Sequence, residues 1–125
     1  MRRSSIWVPS TRDVIRYNKN VLKLHRATKG DQHRILNRRM LISALDETRK
    51  APGDFYDKTA VLLKQLSTKH SFASGNRRTA YFAANKMLWK NKGYAILKKQ
   101  KNRADMMNKI RRGELSHNEI KRILK

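Results

Sequence analysis

Apolar side chains recur at steps of three and four residues along most of this chain, and few residues interrupt the pattern. The 125 residues include only five glycines and two prolines. Steps of three and four place apolar side chains on one face of an α-helix, whereas a strand would need strict alternation. The pattern therefore predicts an all-α fold. The length suits a single domain over residues 1–125, with an irregular N-terminal arm over residues 1–9.

Capping and turn residues divide the pattern into about six helices. Residues 10–13 and 116–119 read Ser-x-x-acid, a capping box in which both side chains accept hydrogen bonds from backbone N–H groups at a helix start. The second helix is expected to begin after Asp31 and to end near Thr48. The predicted apolar stripe of the second helix is Ile35, Leu36, Met40, Leu41, Ala44 and Leu45, and that of the fifth is Ala104, Met107 and Ile110. The other predicted helix boundaries are Asp54, Thr68, Gly75 or Asn76, Gly93 and Gly113.

The chain is strongly basic, with 31 Lys and Arg against nine Asp and Glu and a net charge of +22. Clustered cations bind phosphates and release counterions, so a polyanionic partner is expected. No acidic residue lies between Asp57 and Asp105, whereas Lys and Arg recur throughout that interval. This stretch is therefore predicted to meet the anion. The alternative for any single lysine is a place on a solvated helix face.

Several classes of protein are disfavoured by what the sequence lacks. Without cysteine there is no disulfide framework, thiolate zinc site or cysteine nucleophile. The four histidines are scattered, which disfavours a metal site built on imidazoles. No run of about 18 apolar residues occurs, and no apolar segment follows the basic N-terminus. We therefore expect a soluble cytoplasmic protein without a signal peptide or a membrane role.

One short segment carries residues suited to chemistry on a phosphate. Residues 70–79 read His-Ser-Phe-Ala-Ser-Gly-Asn-Arg-Arg-Thr and lead into the predicted fourth helix. A helix N-terminus attracts anions, and Gly75 lets the backbone approach a bound group. Arg77 and Arg78 add guanidinium groups that match phosphate oxygens, and His70 can accept a proton near neutral pH. The segment predicts phosphoryl or nucleotidyl transfer, with a surface histidine and a surface arginine pair as the alternative.

The spacing in this segment resembles the signature of a known family. The matching positions are His70, Phe72, Gly75, Asn76 and Arg78. They resemble the Fic/Doc (Fido) signature, His-x-Phe-x-acid-Gly/Ala-Asn-x-Arg, and the Arg-Thr-Ala continuation is similar to the Doc, or death on curing, branch. Residues 83–94 and 113–116 are also similar to that branch, and the length resembles that of the small single-domain Doc toxins.

The resemblance implies a Fic/Doc-type bundle in which the motif loop precedes a central helix. It also implies ATP as the donor and Mg²⁺ as the metal. By the same resemblance, His70 is the general base toward a protein hydroxyl and Phe72 is a buried anchor of the loop. Gly75 and Asn76 belong to the phosphate cradle, and Arg78 is the phosphate clamp.

Two positions separate this chain from parts of the family. Arg77 stands where Fic adenylyltransferases usually have glycine and Doc-like members have a long cation, which favours transfer of the γ-phosphate. Ser74 stands where the family has the Asp or Glu that helps to hold Mg²⁺. A hydroxyl brings no charge, so metal affinity is expected to be weak. Low activity and a pseudoenzyme that binds nucleotide without turnover both stay open.

The function implied by the resemblance is that of a Doc-like toxin in a toxin-antitoxin system. Such a protein would transfer a phosphoryl group from ATP to a hydroxyl of a translation-machinery protein, such as elongation factor Tu. The chain has no Ser/Thr-x-x-x-Glu-Gly/Asn inhibitory motif, so a separate acidic antitoxin is expected to control it. The alternatives are AMP transfer to a protein hydroxyl, or a degenerate Fido domain that acts as a basic nucleic-acid-binding module. The charge of the chain also makes nonspecific nucleic-acid binding possible.

Overall fold

The structure is a computed structural model that describes residues 5–24, 34–92 and 103–125. Within these residues the chain forms six α-helices and no strand. The helices are α1 (Thr11–Leu24), α2 (Arg38–Lys50), α3 (Phe55–Thr68), α4 (Asn76–Lys92), α5 (Arg103–Arg111) and α6 (His117–Leu124). The all-α prediction is confirmed. No helix in the described ranges has the length and apolar character needed to cross a membrane.

Helices α3 and α4 form the centre of the fold. α3 contacts α2, α4, α5 and α6, and α4 also contacts α1 and α5. The inner face of α4 carries Ala80, Ala83 and Ala84, which are fully buried. Because the distance between helix axes depends on the side chains at the contact, this row of alanines lets neighbouring helices approach α4 closely. The predicted alanine face and the predicted place of the motif loop before a central helix are both confirmed.

The capping boxes predicted at residues 10–13 and 116–119 are present. In each, the serine hydroxyl and the acidic side chain accept backbone N–H bonds at 2.9 to 3.2 Å. The predicted start of α3 at Asp54 is also confirmed, and this residue forms a third capping box with Asp57. These local hydrogen bonds explain why helix starts were readable from short sequence patterns.

The prediction for the second helix was wrong at its start. α2 begins at Arg38, and Asn37 caps it by accepting a hydrogen bond from the Met40 N–H at 3.0 Å. Ile35 and Leu36 precede the helix instead of belonging to its apolar stripe, because their backbone pairs with a distant segment. The helix ends at Lys50, within two residues of the predicted end near Thr48. The predicted cap Asp31 lies outside the described residues, as does the predicted stop Gly93.

The apolar stripe of α5 also differs from the prediction. Met107 and Ile110 are buried as expected, but Ala104 is exposed and Met106 is buried in its place. Met106 and Met107 are adjacent, so the buried face of α5 is broader than a simple step of three or four residues. Ala104 instead lines the cavity described below.

Candidate active site

A short antiparallel pairing holds the motif loop in place. Residues 34–37 run beside residues 71–73, with one bridge between Ile35 and Phe72. The backbone hydrogen bonds are Leu36 N to Ser71 O (2.8 Å), Asn37 N to Ser71 O (3.2 Å) and Ala73 N to Arg34 O (2.9 Å). Phe72 itself is 2% exposed and belongs to the hydrophobic core. The loop is thus fixed on one side by backbone pairing and on the other by a buried ring.

Asn76 closes the motif loop on itself. Its Oδ1 accepts a hydrogen bond from the Phe72 N–H at 3.1 Å, and its Nδ2 donates to the Phe72 carbonyl oxygen at 2.9 Å. Because both ends of the amide contact the loop backbone, the side chain holds residues 72–76 in a tight turn. The structure therefore gives this side chain a positioning role at the start of α4.

A buried asparagine of α1 holds the same loop by hydrogen bonds. Asn18 is fully buried, and its Nδ2 donates to the Ser74 carbonyl oxygen at 2.8 Å and to Thr79 Oγ1 at 3.0 Å. These two bonds connect α1 with the loop and with the first turn of α4. Sequence reasoning missed Asn18. The available signal was a polar residue on the apolar face of α1, four residues after Val14 and three before Val21.

Gly75 occupies a position that other residues would fill poorly. Its φ is +76°, in the left-handed region. A Cβ atom there would lie 3.0 Å from Leu22 Cδ2 and 3.4 Å from Asn18 Nδ2. The glycine therefore lets the chain turn into α4 while the loop stays close to α1.

All of the predicted site residues except Phe72 line one cavity of about 880 Å³. The lining members of the prediction are His70, Ser74, Gly75, Asn76, Arg77 and Arg78. A volume of this size falls in the range of small-molecule and cofactor sites. The His70 side chain is exposed, so a protein substrate can reach it. The structure thus brings the motif residues together on one concave surface.

The opposite wall of the cavity comes from α5, which sequence reasoning did not assign to the site. Arg103, Met107 and Arg111 line it at steps of four residues. The Arg77 guanidinium donates a hydrogen bond to the Asn108 side-chain oxygen. Tyr81 lies one helical turn after Arg77 on α4. The guanidinium of Arg103, on α5, lies 5.5 Å from the centroid of the Tyr81 ring. The spacing of the α5 residues could be read from the sequence. The packing of α5 against α4 could not.

Charge at the start of α4 is arranged against the helix dipole. The first turns of α1, α3, α5 and α6 each contain an acidic residue, but that of α4 contains Arg77 and Arg78 and no acid. Cations at a helix N-terminus are unfavourable by a few tenths of a kcal/mol to about 1 kcal/mol each. α2 also begins with two arginines, but the side chain of its N-cap residue Asn37 accepts a backbone N–H bond at the helix start, and both arginines are exposed, whereas Arg78 of α4 is half-buried. At α4, an anion bound in the cavity would reverse the penalty.

Three of the residues that line the cavity each contain a buried polar side-chain atom without a hydrogen-bond partner within the described residues. These atoms are Ser67 Oγ, Tyr81 OH and Asn85 Oδ1. A buried polar atom without a partner costs about 1–3 kcal/mol. A hydrogen bond from water or from a bound ligand would remove that cost.

The donor atoms at this site do not fit a protein-bound Mg²⁺. Of the described residues that line the cavity, none is Asp or Glu, and Ser74 occupies the position of the family carboxylate. Across residues 5–24, 34–92 and 103–125, no group of three or more His, Asp or Glu side chains could hold a metal ion. Mg²⁺ usually needs one or two carboxylates from the protein.

Comparison with models of protein families gives a match. A model described as the Fic/DOC family matches residues 10–88, which is more than half of the chain. The matched part runs from the capping box of α1 through the motif loop and into α4, and it ends before α5. A search of curated proteins finds no match for this chain.

Proposed function

Because the chain belongs to the Fic/DOC family, we propose that it transfers a phosphoryl group from ATP to a hydroxyl group of a protein. One observation carries the proposal: His70, the left-handed Gly75 and two arginines placed against the helix dipole meet at one cavity. Each feature alone is common on protein surfaces. Their convergence favours a site that binds phosphate and moves a proton.

His70 is the general base in this proposal. It takes the proton of the acceptor hydroxyl while the hydroxyl oxygen forms a bond to the γ-phosphorus. The bond between that phosphorus and the bridging oxygen breaks, and ADP leaves. Arg77, Arg78 and the backbone N–H groups of the first turn of α4 stabilise the negative charge on the transferring group. His70 lies on the exposed side of the cavity, which suits a large protein substrate.

Transfer of the γ-phosphoryl group rather than AMP is proposed from the cation at position 77. The resemblance associates a long cation there with the Doc branch. The hydrogen bond from Arg77 to Asn108 holds this guanidinium across the cavity from the loop, where it limits how the phosphate chain can lie. AMP transfer is the outcome that would replace this part of the proposal.

The proposed substrate is a protein of the translation machinery, such as elongation factor Tu, and the proposed regulator is a separate acidic antitoxin. A net charge of +22 favours association with an acidic surface. If the chain is a toxin of this type, mixing it with the protein encoded by its genomic neighbour should give a stable complex and suppress transfer. Failure to form any complex would contradict the antitoxin part of the proposal.

The labelled phosphate of ATP tests the reaction itself. The purified chain is incubated with elongation factor Tu, or with a cell lysate, and with either γ-labelled or α-labelled ATP. We expect protein label from the γ position alone, and loss of that label in His70→Ala. His117→Ala is the matched control, because His117 is also exposed but does not line this cavity.

Two other labelling results would change the proposal. Label from the α position would mean AMP transfer and would correct the donor group. Absence of label from both positions, with ATP still bound, would contradict the proposed transfer and leave a nucleotide-binding protein without turnover.

A further inference from the structure

We propose that the arginines of α5 take the place of the divalent cation, so that this cavity binds the phosphate chain of a nucleotide without Mg²⁺. The inference rests on the proposed function, since it concerns the same cavity, and it starts from the misfit between that cavity and a metal ion. Arg103 and Arg111 are the residues it adds to the site.

Four arginines line the cavity. They are Arg77, Arg78, Arg103 and Arg111, and none of the described residues that line the cavity with them is Asp or Glu. A metal ion would add further positive charge beside four guanidinium groups, and the described lining residues offer no carboxylate to hold it. A polyphosphate, in contrast, brings several negative charges and many acceptor oxygens. The electrostatics therefore favour a bare phosphate chain over a metal ion bound to the protein.

The α5 arginines are spaced along one wall. Arg111 lies eight positions after Arg103, so their Cα atoms lie about 12 Å apart along the helix. Met107 and Asn108 lie between them along the lining. Guanidinium groups at both ends of such a wall can contact different parts of an extended ligand, such as a phosphate chain.

Contacts across the cavity hold this wall in position. Asn108 accepts a hydrogen bond from Arg77, and Arg103 lies over the Tyr81 ring at 5.5 Å from its centroid. Arginine stacks well on aromatic rings, and a side chain placed before binding loses less entropy when a ligand arrives. The guanidinium of Arg103 is thus oriented in the absence of a nucleotide.

Guanidinium chemistry can supply what the metal would supply. An arginine side chain stays protonated, and its planar group donates paired hydrogen bonds to phosphate oxygens. The α5 wall lies outside residues 10–88, the part that matches the family model. The chain therefore departs from the metal-binding signature at Ser74 and carries its additional cations in a separate part of the sequence.

Equilibrium binding of ATP to the full chain, measured by calorimetry in EDTA and in MgCl₂, tests the inference. We expect the dissociation constant in EDTA to equal or fall below that in MgCl₂, because Mg²⁺ competes with the arginines for phosphate oxygens. AMP, which lacks the phosphate chain, should bind at least about tenfold more weakly than ATP, because it makes fewer charged hydrogen bonds.

The double variant Arg103→Gln/Arg111→Gln should lose at least about tenfold in ATP affinity in EDTA and should recover part of it in MgCl₂. The matched control is Lys109→Gln/Arg112→Gln, which removes the same number of charges from the same region but from residues that do not line the cavity. Circular dichroism checks that both variants fold. Equal losses in the two variants would mean a general charge effect and would overturn the inference.

Binding that requires Mg²⁺ in the unaltered chain would overturn the inference and leave the proposed transfer intact. The one acidic residue outside the described part, Asp31, is then tested with Asp31→Asn. Loss of Mg²⁺-dependent binding in that variant would identify Asp31 as a metal ligand. Absence of ATP binding in both EDTA and MgCl₂ would overturn the proposed function together with the inference.

Discussion

The left-handed backbone conformation of Gly75 lets the motif loop turn into α4. Its φ of +76° and the short distance to Leu22 predict that Gly75→Ala strains the loop in two ways. We expect a loss of about 1–2 kcal/mol in the free energy of unfolding from the left-handed conformation, and additional loss from the contact. Urea denaturation measures the total loss of stability, and ATP binding should weaken because the contact with Leu22 displaces the loop.

Gly113 supplies a matched control for this prediction. Its φ is +73°, but a Cβ atom there would have nothing within 4 Å. Gly113→Ala should therefore show the conformational cost alone and leave ATP binding unchanged. Equal effects of the two substitutions on binding would contradict a specific role for the close approach at Gly75.

Asn18 is the residue through which α1 acts on the site. Asn18→Ala removes the bonds to the Ser74 carbonyl oxygen and to Thr79 Oγ1, and the Thr79 side chain that loses this donor is buried. We expect a loss of about 2–3 kcal/mol in the free energy of unfolding and a weaker affinity for ATP. The exposed neighbour Asn20 gives the control, since Asn20→Ala should change stability by no more than about 0.5 kcal/mol. A loss of stability without any change in ATP affinity would assign Asn18 to the fold alone.

Ser74 is where the chain departs from its family, and restoring the acid tests what the departure does. Ser74→Asp places a carboxylate among the arginines of the cavity. We expect weaker ATP binding in EDTA, because the new charge repels phosphate, and a gain in affinity when MgCl₂ is added. Ser74→Asn, which has similar size without the charge, should show neither effect. An unchanged Mg²⁺ response in Ser74→Asp would mean that position 74 does not contact the nucleotide phosphates.

At the level of the helices, local signals and long-range contacts divide what sequence could predict. The starts of α3 and α6 were predictable because Asp54 and Ser116 bond to N–H groups three residues away. The start of α2 was not, because Ile35 and Leu36 pair with the motif loop, which lies far along the chain. Apolar spacing gives no information about such a partner, so a short extended segment before a helix looks like part of that helix.

The same division applies to the candidate site. Residues 70–78 could be predicted because they are contiguous and their spacing carries a signature. Asn18 and the α5 arginines could not, because they reach the cavity from helices whose mutual packing is set by the whole core. Arg103 and Arg111 had been visible only as two of many basic residues in a chain with a large excess of cations.

Helix α6 is attached to α3 by a charged cluster as well as by apolar contacts. His117 Nε2 and Lys121 Nζ each lie 3.0 Å from an oxygen of Asp57. The hydrogen bond from His117, followed by that from Lys121, keeps the pKa of Asp57 well below its ordinary value. An eight-residue helix has little stability of its own, so these contacts help to keep α6 folded on α3.

The lowered pKa of Asp57 gives a pH prediction with a definite sign. In the unfolded chain this carboxylate takes up a proton near pH 4, whereas in the folded chain it does so only at lower pH. Its contribution to stability is therefore complete above about pH 5 and is lost as the pH falls below about 4. Thermal unfolding from pH 6 to pH 3 should show a smaller loss of stability in Asp57→Asn than in the unaltered chain. Asp46→Asn, at an exposed ion pair on α2, should leave the pH profile unchanged.

The whole molecule carries a charge that any assay with a polyanion will detect. A net charge of +22 predicts binding to DNA or RNA of any sequence at low salt, through phosphate contacts and counterion release. Such binding depends steeply on ionic strength and says nothing about the cavity. A nucleotide makes few phosphate contacts, so its affinity should depend on salt much less.

Salt titration therefore separates the surface of this protein from its site. We expect affinity for a long single-stranded oligonucleotide to fall about a thousandfold or more between roughly 50 and 200 mM salt, with equal values for two unrelated sequences. ATP affinity should change far less over that range, because only the cavity arginines contact it, and Arg103→Gln/Arg111→Gln should reduce ATP binding more than oligonucleotide binding. Oligonucleotide affinity that survives 200 mM salt and differs between the two sequences would instead favour recognition of nucleic acid as the function, with the cations of α4 and α5 serving that surface.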